Sequence, residues 1–170
     1  TSTSDALGNV TATLYDHINR TLTTTLADPD GAGPEFSPVY QTTFDAAGNV
    51  IAETDPLGRV TTYTYDELNR VVSITLPDPD GVGPQSAPVT SFSYDVAGNL
   101  LTETDALGNV TSYTYDARNR RIETTLPDPD GAGPQNAPVY SSSYDAVGRL
   151  LNLTDALGRV TTFEYDALDQ

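Results

Sequence analysis

The chain has 170 residues and a strongly acidic composition, with 24 Asp and Glu against eight Arg and no Lys, for a formal net charge of −16. Such a charge repels nucleic acid phosphates and anionic lipid headgroups, and it therefore excludes both as expected partners. No apolar run approaches the roughly 18 residues that a membrane-spanning helix needs, so we expect no membrane insertion.

The chain contains neither Cys nor Met. Without Cys no disulfide can stabilise the fold, so stability has to come from strand pairing and burial. This composition fits a reducing interior and equally a secreted bacterial protein that avoids thiols. Because Met is absent, we expect the sequence to be a segment of a longer chain.

A phrase such as DALGNV recurs every 50 residues, beginning at Asp5, Asp55, Asp105 and Asp155. Residues 55–104 and 105–154 are identical at 32 of 50 positions without a gap. The chain therefore reads as one repeat array of about 3.4 copies. Its expected divisions are 1–54, 55–104, 105–154 and a partial copy, 155–170.

Each repeat holds three turns that begin with Asp, and in the second copy these are Asp55–Gly58, Asp66–Asn69 and Asp95–Gly98. Asp at the first position can accept a backbone N–H, and Gly or Asn at the fourth can adopt positive φ. These preferences are typical of tight antiparallel hairpins.

The segments between turns are rich in Val, Thr, Tyr, Leu and Ile, which predicts about 13 strands. No segment shows the periodicity of about 3.6 residues that is typical of a helix. Examples are Val60–Tyr65, Val71–Leu76, Val89–Tyr94 and Leu100–Thr104. Alternation puts aromatic and aliphatic side chains on one face and hydroxyls on the other. We therefore predict an all-β repeat fold, in which antiparallel hairpins form a continuous coiled sheet and a hollow or tubular β-spiral or solenoid.

Three turns follow an aromatic residue and end in Gly, as in Phe44-Asp-Ala-Ala-Gly48, Tyr94-Asp-Val-Ala-Gly98 and Tyr144-Asp-Ala-Val-Gly148. An apolar strand comes two residues after each Gly. The phrases resemble the YD-repeat, or RHS-repeat, family. That resemblance implies a large bacterial secreted or cell-surface protein, with teneurin-like animal relatives. It also implies a hollow β-sheet shell that often encloses a toxic C-terminal domain.

The repeats of this chain are more uniform than those of the family it resembles, which favours an extendable spiral over a closed container. Our leading hypothesis is a structural segment that builds an extended β-spiral, tube or filament, extracellular or at the cell surface. Its expected partners are further copies of the repeat and other chains of the same protein. Two alternatives remain, the wall of a toxin-enclosing shell and an adhesin module that binds a glycan or a receptor.

A ten-residue insertion, LPDPDGVGPQ, occupies Leu76–Gln85 and recurs at Leu126–Gln135 and, varied, at Leu26–Glu35. Its Asp-x-Asp-Gly core satisfies the preferences of a type I turn without any ion. The same core resembles loops that hold Ca²⁺ with alternate carboxylates and carbonyls. In the second interpretation Ca²⁺ is the cofactor, and its ligands are Asp28, Asp30, Asp78, Asp80, Asp128 and Asp130.

The other polar residues favour structure over catalysis. Turn aspartates recur in every copy, whereas a catalytic pair is needed once, and the chain has no Cys and a single His, His17. We therefore predict that it is not an enzyme. The tyrosines are expected to form a packing ladder between hairpins. Six arginines at turn exits are expected to pair with turn aspartates across adjacent strands, namely Arg20, Arg59, Arg70, Arg120, Arg149 and Arg159.

Overall fold

The computed structural model describes residues 1–30, 36–81, 83, 85–131, 133 and 135–166. In these residues the chain forms fourteen β-strands and no helix. The described part of the chain therefore contains no helix that could cross a membrane. The strands are β1 Ser2–Ser4, β2 Val10–Tyr15, β3 Thr21–Thr25, β4 Val39–Phe44, β5 Val50–Thr54, β6 Val60–Tyr65, β7 Val71–Thr75, β8 Val89–Tyr94, β9 Leu100–Thr104, β10 Val110–Tyr115, β11 Arg121–Thr125, β12 Val139–Tyr144, β13 Leu150–Thr154 and β14 Val160–Thr162.

The chain divides into two compact units, Thr1–Val89 and Thr90–Gln170. In the first unit β1 to β7 lie side by side in chain order, each antiparallel to the next. In the second unit β8 to β14 follow the same rule. The predicted all-β antiparallel fold is confirmed.

The predicted strands agree closely with those of the structure. Val60–Tyr65, Val89–Tyr94 and Leu100–Thr104 are reproduced residue for residue. The strand that begins at Val71 ends one residue before the predicted Leu76, whose N–H donates to the carbonyl of Pro88 at the base of the insertion (2.9 Å). The structure has one strand more than the predicted number, because short segments such as β1 also pair.

The two faces of the strands differ as the alternation predicted. Along β6, Thr61, Tyr63 and Tyr65 are half-buried, whereas Val60, Thr62 and Thr64 are exposed. Tyr63 lies opposite Ile74, and Thr64 lies opposite Ser73. Directly opposite residues share a face of a sheet. We call the first side the aromatic face and the second the hydroxyl face.

None of the described residues is fully buried, whether apolar or polar. The accessible surface is 11,609 Å² for 18.1 kDa, whereas a compact monomer of that mass exposes about 8,100 Å². Each unit is therefore a single layer of strands. Stability has to come from strand hydrogen bonds, half-buried side chains and the turns.

Candidate functional site

The turn at Asp66 illustrates the local geometry. The N–H of Asp66 donates to the carbonyl of Arg70, and the N–H of Asn69 donates to the carbonyl of Asp66, both at 3.0 Å. Asn69 has φ of 60°, the left-handed conformation predicted for the fourth position. The Asp66 carboxylate accepts N–H bonds from Leu68 (2.9 Å) and Arg70 (3.0 Å) through Oδ1. Its Oδ2 accepts a bond from Nε of Arg70 (2.7 Å).

This backbone arrangement recurs in ten turns of the described chain. The fourth residue is always Gly or Asn, with φ between 60° and 107°. After each turn of the Tyr-Asp type the following strand also has one extra residue, which shifts the register at the preceding aromatic position: Tyr65 lies opposite Val71 and Thr64 opposite Ser73, so Val72 is the bulged residue. The turns begin at Asp5, Asp16, Asp45, Asp55, Asp66, Asp95, Asp105, Asp116, Asp145 and Asp155.

The surroundings hold the turn carboxylates in the ionised form. Burial raises the pKa of Asp16, but the backbone N–H and the side chain of Arg20 outweigh it and lower the pKa from 3.8 to about 2. Asp145, beside Arg149, likewise has a pKa of about 2. A carboxylate that accepts several N–H bonds is stabilised as the anion. At neutral pH these groups therefore serve as acceptors that close the turns.

The predicted pairing of arginines across adjacent strands is wrong. Each arginine pairs with the Asp of its own turn, four residues earlier, at 2.6 to 2.7 Å. The reason is local, because the turn folds the fifth side chain back onto Oδ2 of the first. The pairs are Asp16–Arg20, Asp55–Arg59, Asp66–Arg70, Asp116–Arg120, Asp145–Arg149 and Asp155–Arg159.

Within each unit, consecutive connections lie at opposite ends of antiparallel strands, so the turns of each unit separate into two groups. We call one end the YD edge, where every turn follows Tyr or Phe; its turns begin at Asp16, Asp45, Asp66, Asp95, Asp116 and Asp145. We call the other end the insertion edge; it carries the turns that begin at Asp5, Asp55, Asp105 and Asp155, together with the three insertions.

On the YD edge of each unit, side chains connect one turn to the next. In the first unit the guanidinium of Arg20 lies 4.5 Å over the ring of Phe44, and its Nη1 donates to the carbonyl of Asp45 (3.4 Å). Further along, Nδ2 of Asn49 donates to Oδ1 of Asn69 (2.8 Å). A cation over an aromatic face is attracted by the ring quadrupole. These contacts join hairpins 20 or more residues apart in sequence.

The second unit has the same connections. Arg120 lies 4.4 Å over the ring of Tyr144, and Nδ2 of Asn99 donates to Oδ1 of Asn119 (2.8 Å). The guanidinium of Arg118 also donates to the carbonyl of the turn residue Ala146. Sequence reasoning missed these connections. The available signal was an Arg followed 24 residues later by an aromatic residue, in three copies: Arg20 and Phe44, Arg70 and Tyr94, and Arg120 and Tyr144.

Tyrosine hydroxyls add a second set of contacts, each between two segments that are joined by one turn of the insertion edge. The hydroxyl of Tyr65 donates to the carbonyl of Val50 (2.7 Å), and that of Tyr165 donates to the carbonyl of Leu150 (2.8 Å). The hydroxyl of Tyr63 donates to Oε2 of Glu53 (2.7 Å), and this bond raises the pKa of Tyr63 to about 12. These bonds join neighbouring segments of the sheet through the hydroxyls, and the packing of the tyrosine rings into a ladder between hairpins stays a prediction.

The described parts of the insertions have the hydrogen bonds of turns. Oδ1 of Asp78 accepts the N–H groups of Asp80 (3.1 Å) and Gly81 (3.0 Å), and Oδ2 of Asp80 accepts that of Gln85 (3.2 Å). Asp128 and Asp130 accept corresponding bonds, and the Asp30 N–H donates to Asp28. Residues 31–35, including Glu35, and positions 82, 84, 132 and 134 lie outside the described residues.

Among the residues that the structure describes, no three His, Cys, Asp or Glu side chains are grouped so that they could hold a metal ion. The bonds at Asp78 and Asp80 are those expected of a turn that closes without an ion. Calcium binding by the six insertion aspartates stays a prediction, and its test is given below.

The fold and the turns define a class of protein, an antiparallel all-β repeat array whose hairpins close on ionised aspartates. The RHS repeat profile matches residues 44–80, 89–132 and 144–170, more than half of the chain. The chain belongs to the RHS repeat family, as its Tyr-Asp phrases predicted. Among curated proteins no match was found.

Solved structures with a similar fold come from toxin complexes. The crystal structure of TcdB2-TccC3-Cdc42 matches with a TM-score of 0.72 and 19% identity over 95% of this chain. That of TcdB2-TccC3 matches with a TM-score of 0.70 and 19% identity over 94%. The Photorhabdus luminescens Tc holotoxin pore matches with a TM-score of 0.68 and 19% identity over 95%. The chain spans 9% of each of those chains. Family and fold together make it a structural repeat segment.

Proposed function

We propose that this segment builds an extended β-spiral or tube in a secreted or cell-surface bacterial protein and performs no catalysis. The observation that carries the proposal is the chain of contacts on the YD edge. Arg20 with Phe44 and Arg120 with Tyr144 repeat the same contact in separate units, 100 residues apart. A contact that recurs with the repeat lets further copies add stability in the same way.

The state of the turn carboxylates supports a non-catalytic role. A general acid or base needs a pKa near the working pH and a proton within reach. The turn aspartates have lowered pKa values and direct their oxygens at their own backbone, as at Asp16 and Asp145. These carboxylates therefore act as hydrogen-bond acceptors within their own turns.

Electron microscopy of the full-length protein tests the extended architecture. We expect elongated or tubular particles whose length grows with the number of repeats in the gene. Compact particles of constant size, whatever the repeat number, would contradict the proposal. A version that lacks two internal copies of the 50-residue repeat is the matched control, because it should be shorter by a fixed step.

A second candidate function is the wall of a hollow shell around a toxic C-terminal domain. The fold similarity to TcdB2-TccC3, solved with Cdc42 and in a holotoxin pore, favours it. The complete open reading frame separates the two functions. A divergent domain downstream of the repeats and density inside a closed particle would favour the shell; a gene that ends in further uniform repeats would favour the open spiral.

Calcium binding is a separate proposal about the insertions. Isothermal titration of the chain with CaCl₂ should release heat and raise Tm if Asp78, Asp80 and their counterparts are ligands. An Asp78→Asn and Asp80→Asn variant should then lose about a third of the sites, whereas Asp105→Asn on a DALG turn should lose none. Absence of heat and of any change in Tm would remove the calcium interpretation.

A further inference from the structure

Each insertion contains an Asp-Gly step, and no other Asp of the chain is followed by Gly. Because Gly has no side chain, its amide nitrogen is the least hindered partner for a reaction with the carboxyl group that precedes it. The described bonds of the YD edge do not involve these steps. The steps are Asp30-Gly31, Asp80-Gly81 and Asp130-Gly131. Gly31 lies outside the described residues, whereas the second and third steps are described.

The surroundings of Gly81 are open. Its φ is 68°, and a Cβ added at this position would meet no atom within 4 Å. Asp80 and Gly81 are both exposed. The space around Gly81 is therefore accessible to an Asp80 side chain that turns towards the Gly81 nitrogen.

The Asp80 carboxylate accepts fewer hydrogen bonds than the carboxylates of the five-residue turns. Its Oδ2 accepts one described N–H bond, from Gln85 at 3.2 Å. The Asp105 carboxylate accepts three bonds of 2.8 to 2.9 Å, from the N–H groups of Leu107 and Asn109 and from Nδ2 of Asn109. Every bond that has to break makes the released carboxyl group rarer. The Asp80 side chain is therefore released more often than that of Asp105.

A second carboxylate contacts the nitrogen that would react. Oδ1 of Asp78 accepts the N–H of Gly81 at 3.0 Å. An amide nitrogen is a poor nucleophile while it keeps its proton, and a base in hydrogen-bond contact can remove that proton as the nitrogen attacks. Asp78 is thus in position to act as the proton acceptor.

We propose that Asp80-Gly81 is a site of self-modification, at which the peptide link rearranges from aspartate to isoaspartate. The Gly81 nitrogen attacks Cγ of the protonated Asp80 carboxyl group, and the new N–Cγ bond closes a succinimide ring. Asp78 takes the amide proton and returns it to the departing hydroxyl, which leaves as water. A water molecule then opens the ring. Cleavage at the former main-chain carbonyl gives isoaspartate, whereas cleavage at Cγ restores aspartate.

The reaction needs no co-reactant except water, which is released in the first step and consumed in the second. The product has the same composition as the starting chain, with one extra carbon in the backbone of the loop and a free carboxylate on Cα of residue 80. The modification is independent of the extended architecture, because it depends only on contacts within one insertion.

The third insertion provides a natural comparison. Oδ2 of Asp130 accepts the N–H of Gln135 at 3.1 Å, as the corresponding atoms do in the second insertion. Within the described part of this loop, however, Asp128 accepts the N–H of Asp130 (3.2 Å) and not that of Gly131. We therefore expect Asp130 to rearrange more slowly than Asp80, although the two Asp-Gly steps are identical in sequence.

The test uses the folded 170-residue chain, aged for weeks in ¹⁸O-water at neutral and mildly acidic pH and then digested with trypsin in ordinary water. The three Asp-Gly steps fall in separate tryptic peptides, 21–59, 71–118 and 122–149. Ring opening during ageing incorporates ¹⁸O, which separates it from rearrangement during digestion. Electron-transfer fragmentation then identifies the residue that carries isoaspartate. We expect labelled isoaspartate to form at Asp80 at least about tenfold faster than at Asp105, which lies in the same peptide.

Two variants separate the contributions of the loop. Asp78→Asn keeps an oxygen acceptor but is a much weaker base, so it should slow the rearrangement of Asp80 about tenfold or more and leave Asp130 unchanged. Gln85→Pro removes the N–H that holds the Asp80 carboxylate and should speed the rearrangement about fivefold. Circular dichroism before ageing should report the same fold for each variant.

Three results would overturn the proposal or one part of it. The first is no labelled isoaspartate at Asp80 of the folded chain over a period in which the free peptide LPDPDGVGPQ rearranges. The second is equal accumulation at Asp80 and Asp105. An unchanged rate in Asp78→Asn, or faster rearrangement at Asp130 than at Asp80, would overturn the assignment of Asp78 as the proton acceptor.

Discussion

The YD edge and the insertion edge use the same five-residue turn in different surroundings. At the YD edge the side chains of Asp116 and Arg120 are 21% and 26% exposed. At the insertion edge those of Asp155 and Arg159 are 31% and 75% exposed, with the same pairing distance of 2.6 Å. The turn closes identically in both places. What differs is whether its arginine reaches the next hairpin.

The cause of the difference is the residue before the turn aspartate. On the YD edge it is Tyr or Phe, as at Phe44 and Tyr144, and this ring receives the arginine of the preceding turn. On the insertion edge it is Ser4, Thr54, Thr104 or Thr154, which offers no aromatic face. Turn closure is therefore a property of the turn sequence, whereas linkage through an arginine needs a complementary ring on a neighbouring strand.

Acidification should have the largest effect, because it removes the acceptor from every turn. The folded pKa of Asp16 and Asp145 is about 2 against an ordinary 3.8, so the folded state binds fewer protons. The stability that these groups contribute is complete above about pH 4 and is lost as the pH falls towards 2. Unfolding followed by circular dichroism should have its midpoint in that window.

Carboxyl ¹³C shifts across the same titration should distinguish the edges. We expect Asp145 on the YD edge to protonate at lower pH than Asp155 on the insertion edge. If Asp145 and Asp155 protonate at the same pH, and stability does not fall below pH 4, the expected difference between the two edges is wrong.

Loss of an aromatic ring that links two turns of the YD edge should have the next largest effect on the free energy of unfolding. Tyr144→Ala removes the face under Arg120 and a hydroxyl bond to the carbonyl of Arg121 (3.3 Å), at about 2–3 kcal/mol for a half-buried ring. Leu157→Ala, at a 78% exposed position of the insertion edge, should cost less than about 0.5 kcal/mol. Urea unfolding of both variants measures the difference, and equal losses in the free energy of unfolding would contradict the expected difference between the two edges.

Replacement of a turn arginine should give a smaller difference in stability between the two edges. Arg120→Gln removes the cation over Tyr144 and the pair with Asp116, and we expect a loss of about 1 kcal/mol. Nη1 of Arg120 is buried with no hydrogen-bond partner among the described residues, which offsets part of the gain from its other contacts. Arg159→Gln should cost under about 0.5 kcal/mol, because that pair is largely exposed.

The Arg120 and Tyr144 variants can be combined to isolate the contact between the two. A double-mutant cycle should yield a coupling of about 0.5–1 kcal/mol. Additive losses would mean that the stacking contributes nothing to the linkage between these two turns.

Glycine replacement should give equal effects at the two edges, the smallest difference of the series. Gly48 on the YD edge and Gly58 on the insertion edge have φ of 97° and 77°. An added Cβ lies at an ordinary 3.6 Å from Arg20 in the first case and in open space in the second. Each Ala variant should lose about 1–2 kcal/mol from backbone strain alone. A much larger loss at Gly48 would show steric dependence on the linking arginine.

The turns were predictable because their contacts span at most four residues. Asp66, its N–H donors and the positive φ of Asn69 all belong to one short segment, and their residue types admit few other conformations. Even there the partner of each arginine was misjudged, since the sequence does not reveal that the fifth side chain folds back over Oδ2.

The period of 50 residues, the strands, the two faces and the bends can all be predicted from the residue pattern alone, because each depends on local conformation and on alternation. The tertiary structure decided which side chains meet across strands. Tyr113, Thr124 and Tyr140 share a row only because bulges and hairpin lengths set the register of β10 to β12. Register is a property of paired strands, and it exists only when the hairpins lie side by side.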